Sequence, residues 1–172
     1  MSISGRISLI SLVAVVLIAV GTLLHVIGLA TPEWSAIRTL RSFYVGLWKA
    51  CVPLGCGEYN GHAADNIKSC EAFAILGMLA SFVGLTMAAI DFTLPLLGKG
   101  GVKTLSLFSL AACLASLACI LIAIIVWGAD VHQPMRSFGY EIGFSFILSI
   151  VGGVLIAVGG GLSFLNRFAI SP

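Results

Sequence analysis

Four long stretches of the chain, 7–30, 72–90, 104–127 and 142–165, contain no acidic residue, lysine or arginine; His25 is the one ionisable histidine among them. A helix rises 1.5 Å per residue, so about 20 apolar residues cross a hydrocarbon core of roughly 30 Å. Each stretch therefore reads as a membrane span. The connections are unequal. Residues 31–71 form a long first loop, 91–103 a short glycine-rich turn, and 130–141 a short polar second loop. In the first loop, Phe43-Tyr44-Val45-Gly46-Leu47-Trp48 is aromatic and β-branched and is followed by a Pro53 to Gly55 turn region, the pattern of a strand. Gly57-Glu58-Tyr59-Asn60-Gly61 reads as a further turn. A strand beside a bilayer needs hydrogen-bond partners that lipid cannot supply, so a small sheet is expected over the bundle. The fold expected is an all-α transmembrane four-helix bundle with a small extracellular antiparallel β-sheet, one domain over residues 1–172.

Composition agrees. The chain is 59% hydrophobic and 9% charged, whereas soluble domains are about a quarter charged. A mean hydropathy of +1.12 and a net charge of +2 exclude a disordered chain and a nucleic-acid binder. Four spans put both termini on one side. Arg6, Lys99, Lys103 and Arg167 lie on that side with Asp91, and the remaining basic residues lie opposite with Glu33, Glu58, Asp65, Glu71, Asp130 and Glu141. The density of basic residues beside the span ends favours cytoplasmic termini. Gly28-Leu29-Ala30 loosely resembles a signal-cleavage site, but the preceding apolar run is long for a signal peptide.

Small residues recur every four positions: Ser145, Ser149, Gly153, Ala157 and Gly161; Ala111, Ala115, Cys119 and Ala123; Ala80, Gly84 and Ala88. Such stripes serve either packing within the bundle or a seam between two copies in the membrane plane. His25 needs a partner across a helix interface, and a structural hydrogen bond is the expected one. Asp91 and Glu141 stand at span ends, where solvation marks a boundary. Gly98-Lys99-Gly100-Gly101-Val102-Lys103-Thr104 follows an apolar helix and not a strand, which rejects a phosphate-binding loop. His62 and His132 stand alone, and no His-Glu-x-x-His, Cys-x-x-Cys or nucleophile elbow occurs. No enzyme, cofactor or metal site is expected.

The first loop carries Trp34, Gly46-Leu47-Trp48, Cys51 and Cys56 in order, directly after the first span. In this the chain resembles the claudin, peripheral myelin protein and epithelial membrane protein superfamily, whose signature is Trp, Gly-Leu-Trp, Cys and Cys in the first extracellular loop of a four-span protein. Gly143-Phe144-Ser145-Phe146-Ile147-Leu148 is similar to the start of the fourth span in epithelial membrane proteins, lens fibre membrane proteins and channel γ-subunits. The Cys-x4-Cys spacing is closest to the lens fibre membrane intrinsic protein-like subgroup. Glu71 stands where the family usually has arginine, no Asn-x-Ser/Thr sequon occurs, and Ala169-Ile170-Ser171-Pro172 is not a PDZ ligand.

The resemblance implies a Cys51 to Cys56 disulfide, with Cys70 free or paired between chains. It implies Trp34 and Trp48 at headgroup level, ring toward lipid and N–H toward water, pinning the sheet. It also implies a structural protein of lateral association and cell–cell contact, with self-association in cis and possible self-association in trans. An auxiliary subunit of an ion channel is the alternative. Glu58 and Arg136 are the charges expected to face partners or ions.

Overall fold

The computed structural model describes residues 3–37, 43–59, 64–99 and 102–169. Helix α1 (Ile3–Ala30) leads into strands β1 (Ser35–Ile37), β2 (Phe43–Val45), β3 (Lys49–Val52) and β4 (Gly55–Glu58). Helices α2 (Asp65–Leu96) and α3 (Lys103–Val126) follow, and α3 runs through a π-helical turn (Trp127–His132) into the short α4 (Gln133–Arg136). Strand β5 (Glu141–Ile142) precedes α5 (Phe144–Ala169). Four helical segments, Leu9–Ala30, Asp65–Leu96, Lys103–Arg136 and Phe144–Phe168, are long and apolar enough to cross a membrane. The fold is the expected one: four long apolar helices and a five-stranded antiparallel sheet of claudin-like architecture.

Helical structure extends well beyond the apolar runs. Helix α2 begins at Asp65, and most of the stretch read as the second loop, up to Arg136, continues the axis of α3 as π and α turns. The sheet order is β4-β3-β2-β1-β5, so the second loop supplies one edge strand to a sheet built by the first. The expected strand over 43–48 is interrupted: β2 ends at Val45 and β3 begins at Lys49, with Gly46, Leu47 and Trp48 making the connection. The turn expected at Pro53 to Gly55 is present, whereas the start of the one expected at 57–61 is strand. Gly57 and Glu58 belong to β4, paired with Ala50 and Lys49, and Pro53 and Leu54 make the turn. Asn60 and Gly61, like His62, lie outside the described residues.

Each long helix carries a set of buried positions in one heptad rhythm, with Thr22 and Leu29 in α1 and Phe146, Gly153 and Gly160 in α5 buried beside it. In α1 they are Ala14, Ile18, Gly21, His25 and Gly28; in α2, Cys70, Ala74, Gly77, Ser81, Gly84, Ala88 and Asp91. In α3 they are Ser106, Ser109, Cys113, Ser116, Ile120 and Ala123, and in α5, Ser145, Ser149, Gly152, Ile156, Gly159, Ser163 and Asn166. Alternating steps of three and four place one narrow seam of small residues toward the partners, the pattern of a left-handed bundle. A Cβ on Gly21 would come within 2.6 Å of the Gly152 carbonyl oxygen, and one on Gly152 equally close to that of Gly21, so α1 and α5 touch backbone to backbone. The stripes expected on α2 and α5 do contribute to these contacts. That on α3 is corrected in part: Ala111 and Ala115 are exposed, Ala123 is buried, and the contact runs along the serine-rich face.

Hydroxyl groups fasten the seams. Ser109 donates to the Gly84 carbonyl at 2.9 Å, Ser116 to that of Gly77 at 2.8 Å, and Ser106 to that of Ser163 at 3.1 Å. His25 makes the structural bond expected of it, its Nε2 lying 3.0 Å from the Ala74 carbonyl oxygen. Asp91 is no solvated boundary marker. It is 4% exposed, and Arg167 clamps it with Nη2 at 2.8 Å from Oδ1 and Nε at 3.3 Å from Oδ2. A carboxylate so far from water requires this cation, and the guanidinium fork supplies two parallel bonds.

Candidate functional site

The loop-side end of the bundle is where the motif residues gather. A helix leaves its last four carbonyls without intrahelical donors. In α1 three of these, on Ile27, Gly28 and Leu29, are met from the first loop. The Thr31 amide bonds the Ile27 carbonyl at 3.0 Å, the Trp34 indole N–H donates to Gly28 at 2.9 Å, and the Trp48 indole N–H donates to Leu29 at 2.7 Å. The expectation of two tryptophans at headgroup level with N–H toward water is thereby corrected. Trp34 is completely buried, and the donors are spent on helix carbonyls that would otherwise be unpaired at an apolar end.

Trp34 sits in an aromatic nest, 5.1 Å from the Trp127 ring centroid and 5.9 Å, edge to face, from that of Phe146. Leu47 is fully buried in the same cluster with Leu29, Cys70, Ala74 and Ala123. Gly46 is required by proximity, since a Cβ there would stand 2.5 Å from Pro32 Cα. The Gly46 amide bonds the Lys49 carbonyl at 3.0 Å, and its own carbonyl accepts the Tyr59 hydroxyl at 2.9 Å. Burial, and secondarily the charge of Glu71, push the Tyr59 phenol up to about 12, so it stays a donor at all physiological pH. The three motif positions thus divide the work: glycine allows the close crossing, leucine fills the core, and tryptophan caps the helix.

The return from β5 into α5 is built as closely. A Cβ on Gly143 would collide with the Glu33 carbonyl oxygen, the Gly143 amide bonds the Trp34 carbonyl at 3.0 Å, and the Ser145 amide bonds that of Glu33 at 3.1 Å. The Ser145 hydroxyl accepts from the Glu33 amide at 3.2 Å and lies 2.7 Å from the Thr31 hydroxyl.

A second polar relay joins the sheet to the π turn. The Trp127 indole donates to Ser35 Oγ at 3.2 Å, and Ser35 Oγ lies 2.9 Å from His132 Nδ1. Trp127, Ser35 and His132 escape sequence reading, because their bonds join residues more than ninety positions apart. The signal that exists is indirect: Trp127 is an aromatic with a polar tip where an apolar run ends.

At the far side of the sheet, Cys51 and Cys56 are opposed across β3 and β4 and joined by a disulfide, with Cα atoms 4.0 Å apart. Cys70 is free and wholly enclosed in the tryptophan cluster, which leaves no route for the pairing between chains that had stood as an alternative. Every residue of β4 is exposed. Glu58 lies on this edge strand opposite Lys49, while Arg136 lies beside the other edge, β5. Four strand spacings, roughly 19 Å, separate the two edges, so the two charges do not converge. The site is a platform: Trp34, Leu47 and Trp48 at its root, the disulfide at its outer margin and charges on its rims.

The family model described as PMP-22/EMP/MP20/Claudin matches residues 6–163, which takes in the whole sheet, α2 and α3, and most of α1 and α5. No curated relative matches the chain. With that match lying over a bundle whose motif tryptophans seat a disulfide-linked sheet, the chain belongs to the PMP-22/EMP/MP20/Claudin family, a family of multi-pass membrane proteins that are not enzymes.

Proposed function

We propose that this chain is a structural protein of the plasma membrane, with both termini cytoplasmic, that associates laterally in one membrane and contacts a neighbouring cell through its sheet. The observation that carries the reading is a contrast in burial on one small platform. Its root is locked to the bundle by Trp34, Leu47 and Trp48, while Leu54 at the β3–β4 turn is fully exposed and Phe138 is 77% exposed. A disulfide-held hairpin that lifts an apolar side chain into solvent costs solubility, and contact with a partner surface offsets that cost. Glu58 and Arg136, on opposite rims, set the charge that a partner or passing ion meets. The Cys51-x4-Cys56 spacing supports placement near the lens-fibre-type subgroup.

Expression in junction-free cells tests the proposal. Freeze-fracture strands or calcium-independent aggregation of expressing cells support it. Monomeric particles in cells that do not aggregate overturn it, and co-purification with channel subunits from such cells points to the accessory role. The γ-like start of the fourth span does not favour that second reading, because Gly143 and Ser145 are occupied in seating α5 against Glu33 and Thr31.

A further inference from the structure

Between the π turn and strand β5 lies an open groove of about 510 Å³, lined among others by His132, Gln133, Arg136, Tyr140, Glu141 and Ile142. None of the packing just described uses it. Its floor is set by the relay behind it. The Trp127 indole is a donor only, so Ser35 Oγ accepts from it, which leaves the Ser35 hydroxyl proton available to His132 Nδ1, 2.9 Å away. In the tautomer in which Nδ1 accepts this proton, Nε2 carries the imidazole N–H. His132 is 8% exposed, and the surface it keeps belongs to the groove. Four residues away, one turn along, Arg136 is exposed and makes no ion pair among the described residues. π turns are rare and frequently found at functional sites; this one carries His132 against Ser35 and leads directly to Arg136.

We infer that this groove binds a hydroxylated oxyanion of the acidic-saccharide class. The guanidinium of Arg136 and the Nε2–H of His132 hold the carboxylate, since both are donors and the fork of arginine matches a carboxylate's two oxygens. Glu141 in the opposite wall repels a bare anion but accepts hydrogen bonds from hydroxyls, so it selects a ligand bearing both groups. The ring of Tyr140 and the side chain of Ile142 offer the apolar face that a pyranose ring packs against. The volume lies within the range of small-ligand clefts and suits a single sugar-acid unit.

The test uses the full chain in nanodiscs, with calorimetry and the imidazole ¹⁵N signals of His132, titrated with glucuronate, glucose and inorganic sulfate at equal ionic strength. Glucuronate is expected to bind saturably and shift the His132 signals, which report the Nε2–H tautomer, with glucose silent and sulfate weaker than glucuronate. Arg136→Gln, at an exposed position that tolerates change, is expected to weaken glucuronate about tenfold or more. Glu141→Ala is expected to weaken glucuronate and strengthen sulfate. An Nδ1–H tautomer, equal binding of glucose and glucuronate, or sulfate binding as tightly as glucuronate to the unaltered chain overturns the assignment. So does glucuronate affinity unchanged in Arg136→Gln.

Discussion

The inner and outer halves of the sheet are held by different physics. Strand β1 is buried at Ser35 and Ala36, lies between β2 and β5, and connects through Ser35 to Trp127 and His132 on the bundle. Strand β4 is exposed along its whole length and pairs with β3 alone, and across that pair runs the Cys51–Cys56 disulfide. Where a helix bundle offers carbonyls and aromatic surface, side chains fasten the strand without covalent help. Where no core exists, a bond that restricts the unfolded chain replaces packing. Closing a six-residue loop contributes about 2 kcal/mol in the chain-entropy view, comparable to the packing a small exposed hairpin lacks.

The contrast is broken most severely from the inside. Trp34→Ala empties the nest formed with Trp127 and Phe146 and frees the Gly28 carbonyl, a loss of about 3–5 kcal/mol for a buried aromatic. Such a protein is expected to fail surface biotinylation and to lose its detergent-resistant melting transition; delivery at normal levels would remove the inner anchor from the account. Next comes the double variant Cys51→Ala with Cys56→Ala, expected to lose about 2 kcal/mol locally while the bundle still folds. Limited proteolysis should then cut near Leu54 with the helices left intact, and cleavage spreading into β1 would mean the halves are one unit.

Trp48→Phe keeps a ring but deletes the donor to Leu29, and about 1 kcal/mol is expected, seen as a melting temperature lowered by a few degrees. An unchanged melting temperature would show that the carbonyl finds another donor. The smallest effect belongs to Glu58→Lys on the exposed edge, within about 0.5 kcal/mol in stability. Its readout is instead a change in cell aggregation or in dilution potential across an epithelial layer. No change in either, in normally delivered protein, withdraws Glu58 as a contact.

What could be read from the chain divides along the same line. Trp34, Gly46-Leu47-Trp48 and the two loop cysteines announce themselves because their kinds are uncommon in a polar loop and their order is local. Helix faces do not. Lipid is as apolar as the bundle interior, so exposed Leu12, Val13 and Val16 look no different from buried Ala14 and Ile18, and a four-residue stripe on α3 points outward as readily as inward. Hydroxyl seams such as Ser109 to Gly84 and the Asp91 to Arg167 clamp join residues 25 and 76 positions apart, so a lone acid beside a span reads as a boundary when its cation is out of view. The π turn inserts its extra residue without changing composition, which hid both the extension of α3 and the placement of His132.

Hydrogen exchange of the full chain in nanodiscs, before and after selective reduction of Cys51–Cys56, tests the two-part sheet most directly. Reduction is expected to speed exchange of the β3 and β4 amides, including Gly57 and Val52, and to leave Trp34, Ser35 and Gly143 as protected as before. Equal loss of protection in β1 and β5, or no change in β3 and β4, would contradict a sheet whose root is held by the bundle and whose margin is held by the disulfide.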